Sequence, residues 1–396
     1  MSLQCLQTNH FFLLTYRKRM SIRYLIYVLI LFLMSCTGEE STPATDQTVS
    51  VGEEELYSIE FTSELIFSGN DDVIIGRLGV VQVDDSGRVY MADTRRHVIE
   101  VFESDTSYSG QIGRQGDGPG EFRSVGPMKL FDEKIYILDT NRQLINIFST
   151  GNLRFERAIN LDPAKWSNVE NLTGARVSDF YVQKSSDILL EFSKLNSADD
   201  RQLIYHFLYD GDELDNEPML ELKDVPIFAD RSTGVALSML LDFERRSLFA
   251  QGHNLNFYTA WTEEFKINRY FQDGSLDYTL YTPIDNIDFN RSEFIDSYSN
   301  ETARNALQNA EFPDDWPVLK HLMVDDENRL WVSTILEDFD VYEWWVLEET
   351  GELILKFEWP RDEPIEVIKN GKMYTRETDE ETGLQRVVRY GFEVID

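Results

Sequence analysis

The sequence predicts an all-β fold, a six-bladed β-propeller, from the repetition of one strand–turn–strand unit. Six copies of this unit can be aligned on a large residue of their second strand. The six marker residues are Tyr90, Tyr136, Leu190, Phe249, Trp331 and Tyr374, with gaps of 46, 54, 59, 82 and 43 residues between them. A four-stranded blade takes about 40–50 residues, so all gaps except the longest fit blades with loop insertions.

The clearest copy runs from Val80 to Asp93 and is followed by a third strand at Val98 to Phe102. Its first two strands are joined by Asp84 to Gly87, the kind of turn that joins neighbouring antiparallel strands. The segment from Met323 to Val332 repeats the same spacing. Agreement over a turn and both flanking strands indicates a true repeat.

The gap of 82 residues needs an explanation other than a seventh blade. Between Ser292 and Ala310 the apolar residues approximate helical spacing. These residues are Phe294, Ile295, Tyr298, Ala303 and Leu307. We therefore expect a helical insertion around residues 289–312.

The segment from Leu56 to Phe67 is predicted to be a strand that lacks a partner near it in the sequence. The sixth copy supplies only three strands, at residues 365–368, 372–376 and 386–394. We expect the N-terminal strand to complete this last blade, which closes the ring and removes its exposed edges. The propeller is thus predicted to span residues 56–396.

Residues 1–35 have the order of a secretory signal peptide. Basic residues from Arg17 to Arg23 precede an apolar run from Tyr24 to Met34, which is too short to span a bilayer. Met20 is an alternative true start. Leu33-Met34-Ser35-Cys36 resembles a bacterial lipobox, which implies lipidation of Cys36. The alternative is an uncleaved anchor, and both interpretations place the body outside the cytoplasm.

Residues 36–55 are rich in Ser, Thr, Gly and acidic residues, so we expect a lipidated, flexible tether. An aspartate directly after the lipidated cysteine would resemble an inner-membrane retention signal, but this chain has Thr37 at that position. Glu39-Glu40 resembles the acidic pairs that follow the lipidated cysteine in some surface lipoproteins. The expected location is the outer membrane or the cell surface, with the membrane contacted through the lipid anchor.

One glycine-rich segment resembles a known repeat family. Gly113 to Phe122 follows a strand and precedes the next unit, and it is similar to the inter-blade loop of NHL-repeat propellers. The strand pair from Val83 to Asp93 is similar to that family as well. The resemblance covers residues 78–150, whereas the third and fourth units lack the glycine-rich loop.

Composition excludes some classes of function. The chain has 71 acidic and 37 basic residues, a formal charge of −34, which disfavours nucleic acid as a partner. Its two cysteines, Cys5 and Cys36, both precede the propeller, so no disulfide framework or cysteine-based zinc site is expected there.

No motif predicts a catalytic residue, a cofactor site or a metal site. Asp84-Asp85 and Asp325-Asp326 lie in predicted hairpins, where aspartate bonds to its own backbone, and we interpret them as turns. The loop 113–122 lacks the helix and the Lys-Ser/Thr pair of a phosphate site. Acidic residues from several blades could still meet His253 or His321 at the ring axis.

The strongest candidates for ligand contact are two adjacent tryptophans, Trp344 and Trp345, in the fifth unit. Neighbours on a strand face opposite ways, so we expect one of them to point into the blade and the other to be more exposed. Aromatic faces in a groove suit sugars or apolar ligands.

The predicted function is a non-enzymatic binding or scaffold module of the envelope, with a protein or glycan partner. The alternative is a cation-dependent hydrolase, lactonase or lyase whose site lies at the propeller axis. Propellers host many unrelated functions, so the fold does not decide between them.

Overall fold

The computed structural model describes most of the chain from Thr48 to Ile395. Its gaps are residues 53–57, 70–72, 185–186, 197–200, 227, 231–236, 240, 242, 299 and 309. The predicted signal peptide, the alternative start at Met20 and the lipidation site Cys36 lie outside the described residues. None of the helices in the described part of the chain is long and apolar enough to cross a membrane.

The first two strands come before the repeats and join blades that lie much later in the sequence. They are β1 (Thr48–Ser50) and β2 (Ser58–Phe67). Blade one is a four-stranded antiparallel sheet formed by β3 (Leu78–Val83), β4 (Val89–Asp93), β5 (Val98–Phe102) and β6 (Tyr108–Ile112). Blade two has the same order and consists of β7 (Met128–Phe131), β8 (Lys134–Asp139), β9 (Leu144–Ser149) and β10 (Phe155–Asn160).

Two short 3₁₀ helices, Pro163–Trp166 and Glu170–Leu172, lead into blade three. Blade three consists of β11 (Arg176–Val182), β12 (Ile188–Asn196), β13 (Arg201–Tyr209) and β14 (Leu220–Pro226). A separate hairpin follows, formed by β15 (Phe228–Asp230) and β16 (Leu237–Met239). Blade four consists of β17 (Ser247–Gln251), β18 (Phe257–Trp261), β19 (Lys266–Tyr270) and β20 (Leu276–Tyr281).

Blade five follows the helical insertion and consists of β21 (Leu319–Val324), β22 (Leu330–Ile335), β23 (Val341–Leu347) and β24 (Leu353–Pro360). Blade six contains β25 (Ile365–Lys369), β26 (Lys372–Thr378) and β27 (Gln385–Ile395). Its fourth strand is β2, which pairs antiparallel with β27. The predicted six-bladed ring, closed by an N-terminal strand in the last blade, is confirmed.

The closure is stabilised by apolar side chains of β2. Phe67 is fully buried and packs 6.2 Å from the ring of Tyr374. Phe61 lies between blades five and six, 4.8 Å from Phe357 and 5.1 Å from Trp359. Burial of these rings joins the two ends of the propeller through the hydrophobic effect.

The two best-matching repeats form hairpins with the same hydrogen bonds. The Asp84 carboxylate accepts from the backbone of Ser86 and Arg88 at 2.9 and 3.0 Å. In blade five, Asp325 accepts from the backbone of Glu327 and Arg329, both at 2.9 Å. The prediction that these aspartates stabilise turns is confirmed.

The helical insertion is also confirmed. It contains α1 (Arg291–Ser297) and α2 (Glu301–Leu307). Asn290 caps α1 by accepting a hydrogen bond from the Glu293 backbone, as expected for an asparagine at this position. Phe294 and Leu307 are buried with Phe243 and Trp316 in a satellite apolar cluster.

The predicted hairpin of blade four is wrong. Phe249, expected on the second strand, lies on the first strand β17, and the true hairpin joins Gln251 to Phe257. The segment around Phe243 imitates a first strand in its apolar pattern. In the structure Phe243 instead packs 5.2 Å from both Phe289 and Phe294 beneath the insertion.

The end of the predicted tether contributes to the propeller. β1 pairs in parallel with β20, the outer strand of blade four. Val51, which follows it, is buried in the apolar cluster between blades four and five. The sequence signal for a strand is weak here, because Val49 and Val51 are the only large apolar side chains of this segment.

Candidate functional site

One cavity of about 640 Å³ lies where the first strands of all six blades end, and we call it the axial cavity. The first strand is the innermost strand of a propeller blade, so a cavity shared by all six lies at the ring axis. The strand residues that line it, from blade one to blade six, are Val83, Phe131, Val182, Gln251, Val324 and Ile368.

The lining of the axial cavity carries both signs of charge. Four side chains are basic (Arg88, Lys129, Lys134 and Lys369) and five are acidic (Asp84, Asp85, Asp132, Glu133 and Glu366). This near balance contrasts with the whole chain, where acidic residues outnumber basic ones 71 to 37. The cavity is therefore much less acidic than the rest of the protein.

Several of these charges form ion pairs across the wall. A guanidinium nitrogen of Arg88 lies 2.8 Å from an Asp84 oxygen, and Lys369 Nζ lies 2.6 Å from an Asp85 oxygen. Arg88 also donates to the backbone carbonyl of Thr150 at 2.7 Å, which links blades one and two. Pairs that are anchored in this way hold their donors and acceptors in fixed positions.

A row of ionisable side chains crosses blade three beside the axis. Asp179 on β11, Glu191 on β12 and His206 on β13 are direct cross-strand partners and share one face of the sheet. Nε2 of His206 lies 3.4 Å from a Glu191 oxygen, and Ser178 donates to Glu191 at 2.8 Å. We call Asp179, Glu191 and His206 the blade-three row.

Lys129 connects this row to the axial cavity. Its Nζ lies 3.3 Å from an oxygen of Asp179 and 4.4 Å from the centre of the Tyr181 ring. Lys129 lines the cavity, and the side chains of Lys129 and Asp179 are 28% and 25% exposed. His206 is fully buried and stacks on Phe249 at 4.3 Å. The accessible end of the row therefore faces the axis.

The two carboxylates of the row titrate differently. Burial raises the pKa of Asp179, with a smaller contribution from the Glu191 charge, while Lys129 opposes both. Burial acts in the same direction on Glu191, but His206, Ser178 and Lys129 outweigh it and hold the pKa of that carboxyl below its usual value. Within the pair, Asp179 is the group that takes up a proton more readily.

No sequence motif identifies Lys129, Asp179, Glu191 and His206 as a group. They are 77 residues apart from first to last and come from two blades, so only the folded ring brings them together. In retrospect, each of the four is a polar residue in a strand whose other positions are mostly apolar, and the four strands are β7, β11, β12 and β13.

His253 and His321, considered as axial residues, occupy different places. His253 lines the axial cavity, where burial, and then the charge of Lys369, lowers its pKa. Nδ1 of His321 lies 2.8 Å from the Ser333 hydroxyl, and His321 lines a smaller cavity between blades five and six. Neither histidine is part of the blade-three row.

The expected exposure of one of the adjacent tryptophans is wrong. Trp344 is 2% exposed and Trp345 is 8% exposed. They do face opposite ways: Trp344 packs in the cluster between blades five and six, and Trp345 in the cluster between blades four and five. Both faces of a propeller blade are covered by neighbouring blades. Adjacent side chains on a strand therefore point into two different interfaces, and both interfaces are buried.

Within the residues that the structure describes, no three His, Cys, Asp or Glu side chains form a group suited to hold a metal ion. Three carboxylates of the axial cavity, those of Asp84, Asp85 and Glu366, lie in separate ion pairs rather than converging on one point. In the glycine-rich loop, Glu121 accepts from the Gly118 backbone at 2.8 Å and pairs with Arg114. These contacts support the interpretation of that loop as a turn.

The chain matches the family DUF5128, described as a 6-bladed beta-propeller, over residues 46–309. No curated protein matches it. Among solved structures, a member of the DUF4221 family from Bacteroides vulgatus ATCC 8482 is 13% identical, with a TM-score of 0.54 over 86% of this chain and 100% of that one. This likeness shows the fold alone.

Two further solved structures are similar at lower scores. A candidate exported protein of Bacteroides fragilis NCTC 9343 is 10% identical, with a TM-score of 0.49 over 88% of this chain and 100% of that one. The calcium-binding protein regucalcin of Agrobacterium tumefaciens C58 is 10% identical, with a TM-score of 0.40 over 87% and 95% of the two chains. The family match covers 264 of the 396 residues, so this protein belongs to the DUF5128 family of six-bladed β-propellers.

Proposed function

We propose that this protein is a binding module of the cell envelope that takes a peptide segment of a partner protein into its axial cavity. The observation that carries the proposal is the meeting of six inner strands in one cavity whose charges are nearly balanced. Binding sites are concave and place a few polar groups at fixed positions, which the anchored ion pairs of this cavity do.

A peptide fits the lining better than a glycan does. Phe131 and His253 are the only aromatic residues among the described residues that line the cavity, so a stacking platform for sugar rings is lacking there. Paired donors and acceptors such as Lys129 with Asp179 match the alternating N–H and C=O groups of a peptide and its charged side chains. A volume of about 640 Å³ admits a few residues rather than a folded domain.

We also propose that the chain is exported and anchored through a lipid on Cys36, at the outer membrane or the cell surface. The support is the order of basic and apolar segments before Cys36 and the polar segment after it. Replacing Cys36 by Ser is expected to move the protein from the membrane fraction to the aqueous fraction. The matched control is Cys5→Ser, which should stay in the membrane fraction.

We also propose that residues 78–150 are related to the repeats of NHL propellers, on the basis of the sequence similarity described above.

The binding proposal is tested with full-length protein in detergent, immobilised and exposed to a random tetrapeptide library. Affinities of the selected peptides are then measured for the parent chain and for Lys129→Gln. Loss of the cationic end of the Lys129–Asp179 pair should weaken binding about tenfold, equivalent to about 1.4 kcal/mol.

The matched control is Lys184→Gln. Lys184 is 71% exposed, pairs with Asp187 at 3.6 Å and does not line the axial cavity, so its replacement should leave the affinity unchanged. Selection of no peptide, or equal losses in both variants, would overturn the proposal. If a glycan library is retained in place of peptides, with the same dependence on Lys129, the partner is a glycan.

The blade-three row favours one alternative, a cation-dependent hydrolase, lactonase or lyase acting at the axis. The pKa of Asp179 is raised and that of Glu191 is lowered, and a general acid and a general base that act together need pKa values shifted apart in this way. Both belong to one blade, and Lys129 already occupies the accessible end of the row. The deciding measurement is the thermal unfolding of the full chain with and without divalent cations, because a bound cation raises the melting temperature by mass action. A clear rise that is lost in Asp179→Asn would favour the enzyme.

A further inference from the structure

A second cavity, of about 210 Å³, lies between blades five and six, and we call it the inter-blade cavity. It contacts Lys320 and His321 near the start of β21, whereas the axial cavity contacts Met323 and Val324 at the end of that strand. The two cavities therefore lie toward opposite ends of the same strand. Pro360 at the end of β24 and Arg361 and Pro364 in the connection to β25 form another part of its wall.

The chemistry of the inter-blade cavity differs from that of the protein around it. Lys320 and Arg361 line it, and none of the described residues in its wall is Asp or Glu. Acidic residues outnumber basic ones 71 to 37 in the whole chain. A wall with basic and no acidic side chains attracts an anion, and in a protein of charge −34 it is a local exception.

Trp344 adds an unused hydrogen-bond donor to this wall. Its side chain lines the cavity and is 2% exposed, and its indole Nε1 has no hydrogen-bond partner among the described residues. Leaving such a group unpaired in the interior costs about 1–3 kcal/mol. The adjacent Trp345, on the opposite face, donates its Nε1 to Glu343 at 2.7 Å. An acceptor in the cavity would satisfy Trp344 as Glu343 satisfies Trp345.

The rest of the wall is mainly aromatic and apolar. The rings of His321 and Trp344 lie parallel, 5.6 Å apart with an angle of 5° between them. Trp359 and Ile365 contribute buried apolar surface. A cavity of about 150 Å³ holds one benzene molecule, so a volume of about 210 Å³ suits a single ring with one small substituent.

We propose that the inter-blade cavity binds a small organic acid, a carboxylate attached to a body no larger than one six-membered ring. The carboxylate accepts from Trp344 Nε1 in the field of Lys320 and Arg361, and the ring packs against the apolar wall. This site is separate from the axial cavity, and it does not depend on the peptide-binding function proposed above.

The test uses full-length protein in detergent, labelled with 5-fluorotryptophan, and follows its fluorine NMR spectrum. The chain contains seven tryptophans, and Trp344→Phe identifies the signal of Trp344. The probe is benzoate. Benzamide is its neutral isostere, and benzylammonium is a cation of similar size. Benzoate should shift the Trp344 signal selectively, benzamide should bind at least tenfold more weakly, and benzylammonium should not bind.

Two variants separate the proposed contact from general packing effects. Trp344→Phe keeps a ring in place but removes the donor, and it should weaken benzoate binding, measured by calorimetry, about tenfold. Trp345→Phe removes an indole that is already paired with Glu343, so benzoate affinity should not change. If Trp344→Phe does not fold, Lys320→Gln tests the same site, and it should weaken benzoate binding at least fivefold.

The proposal is overturned if the Trp344 signal does not move with benzoate at about 10 mM, a concentration that would saturate a complex with a Kd of 1 mM. It is also overturned if benzamide binds as well as benzoate, or if Trp345→Phe weakens binding as much as Trp344→Phe does. Loss of peptide binding in Lys129→Gln with benzoate binding retained would show that the two sites are independent.

Discussion

The buried carboxylate of Asp325 accepts a hydrogen bond from the indole Nε1 of Trp331 at 2.9 Å. The same carboxylate accepts from Arg329 Nε at 2.8 Å and from two backbone N–H groups of its turn. Blade one repeats this arrangement, with Asp84 accepting from the Tyr90 hydroxyl at 3.0 Å. One aspartate in each of these blades thus ties the hairpin to the large aromatic residue of the second strand.

Replacing Asp325 by Ala should destabilise the protein by about 3 kcal/mol, because several buried donors lose their acceptor at once. Urea unfolding followed by circular dichroism measures the change. The control is Asp85→Ala, since the Asp85 side chain is 94% exposed and its loss should cost less than about 0.5 kcal/mol. Equal losses in the two variants would contradict the proposed role of the buried carboxylate.

The contribution of Asp84 should depend on pH. Burial opposes its ionisation, but hydrogen bonds from Ser86, Arg88 and Tyr90 and the charge of Arg88 outweigh burial and hold its pKa below the ordinary value of 3.8. A carboxyl with a lowered pKa stabilises the fold above its unfolded-state pKa, and this stability is lost as the pH falls through the folded-state pKa.

The free energy of unfolding should therefore differ more between the parent chain and Asp84→Asn at pH 7 than at a pH below the folded-state pKa of Asp84, where the carboxyl is protonated in both the folded and the unfolded state. Urea titrations at a series of pH values measure this difference. Asp85→Asn serves as the control. A difference for Asp84→Asn that does not change with pH would show that the charge of Asp84 is not the source of its contribution.

Phe67 tests the closure of the ring. It is fully buried on β2, whereas its neighbour Ile66 is 45% exposed on the other face of the same strand. Phe67→Ala should cost about 3–5 kcal/mol, and Ile66→Ala should cost less than about 1 kcal/mol. If unfolding in urea shows similar effects for both, β2 does not hold the two ends of the propeller together.

Val51 tests whether the segment after β1 is held against the propeller. A buried aspartate is unfavourable, so Val51→Asp should release β1 from the propeller. The free energy of unfolding should fall by about 2 kcal/mol, because the burial of the Val51 side chain is lost. Hydrogen exchange should become faster at Thr48–Ser50 and in the facing strand β20. Ser50→Asp, at an exposed position, should leave both exchange rates unchanged. Unchanged exchange in Val51→Asp would mean that the segment is not held by this contact.

Much of the fold could be predicted because a repeat imposes the same local pattern several times. The turn at Asp84 and the turn at Asp325 share their spacing, and each forms from residues close in sequence. The closing strand Ser58–Phe67 was identifiable because the last repeat lacked one strand. Blade four was misaligned by one strand, since the apolar pattern around Phe243 also suits the cluster beneath the insertion.

The number of blades, the closing strand and the insertion follow from the sequence, because they depend on local spacing and on the turns between neighbouring strands. The polar groups that meet one another depend instead on how the blades pack in the folded ring. Lys129 reaches Asp179 from another blade, and Trp344 and Trp345 are both buried because each blade is covered on two faces. Alternation along a strand specifies on which face a side chain lies, but the packing of the ring determines what that face contacts.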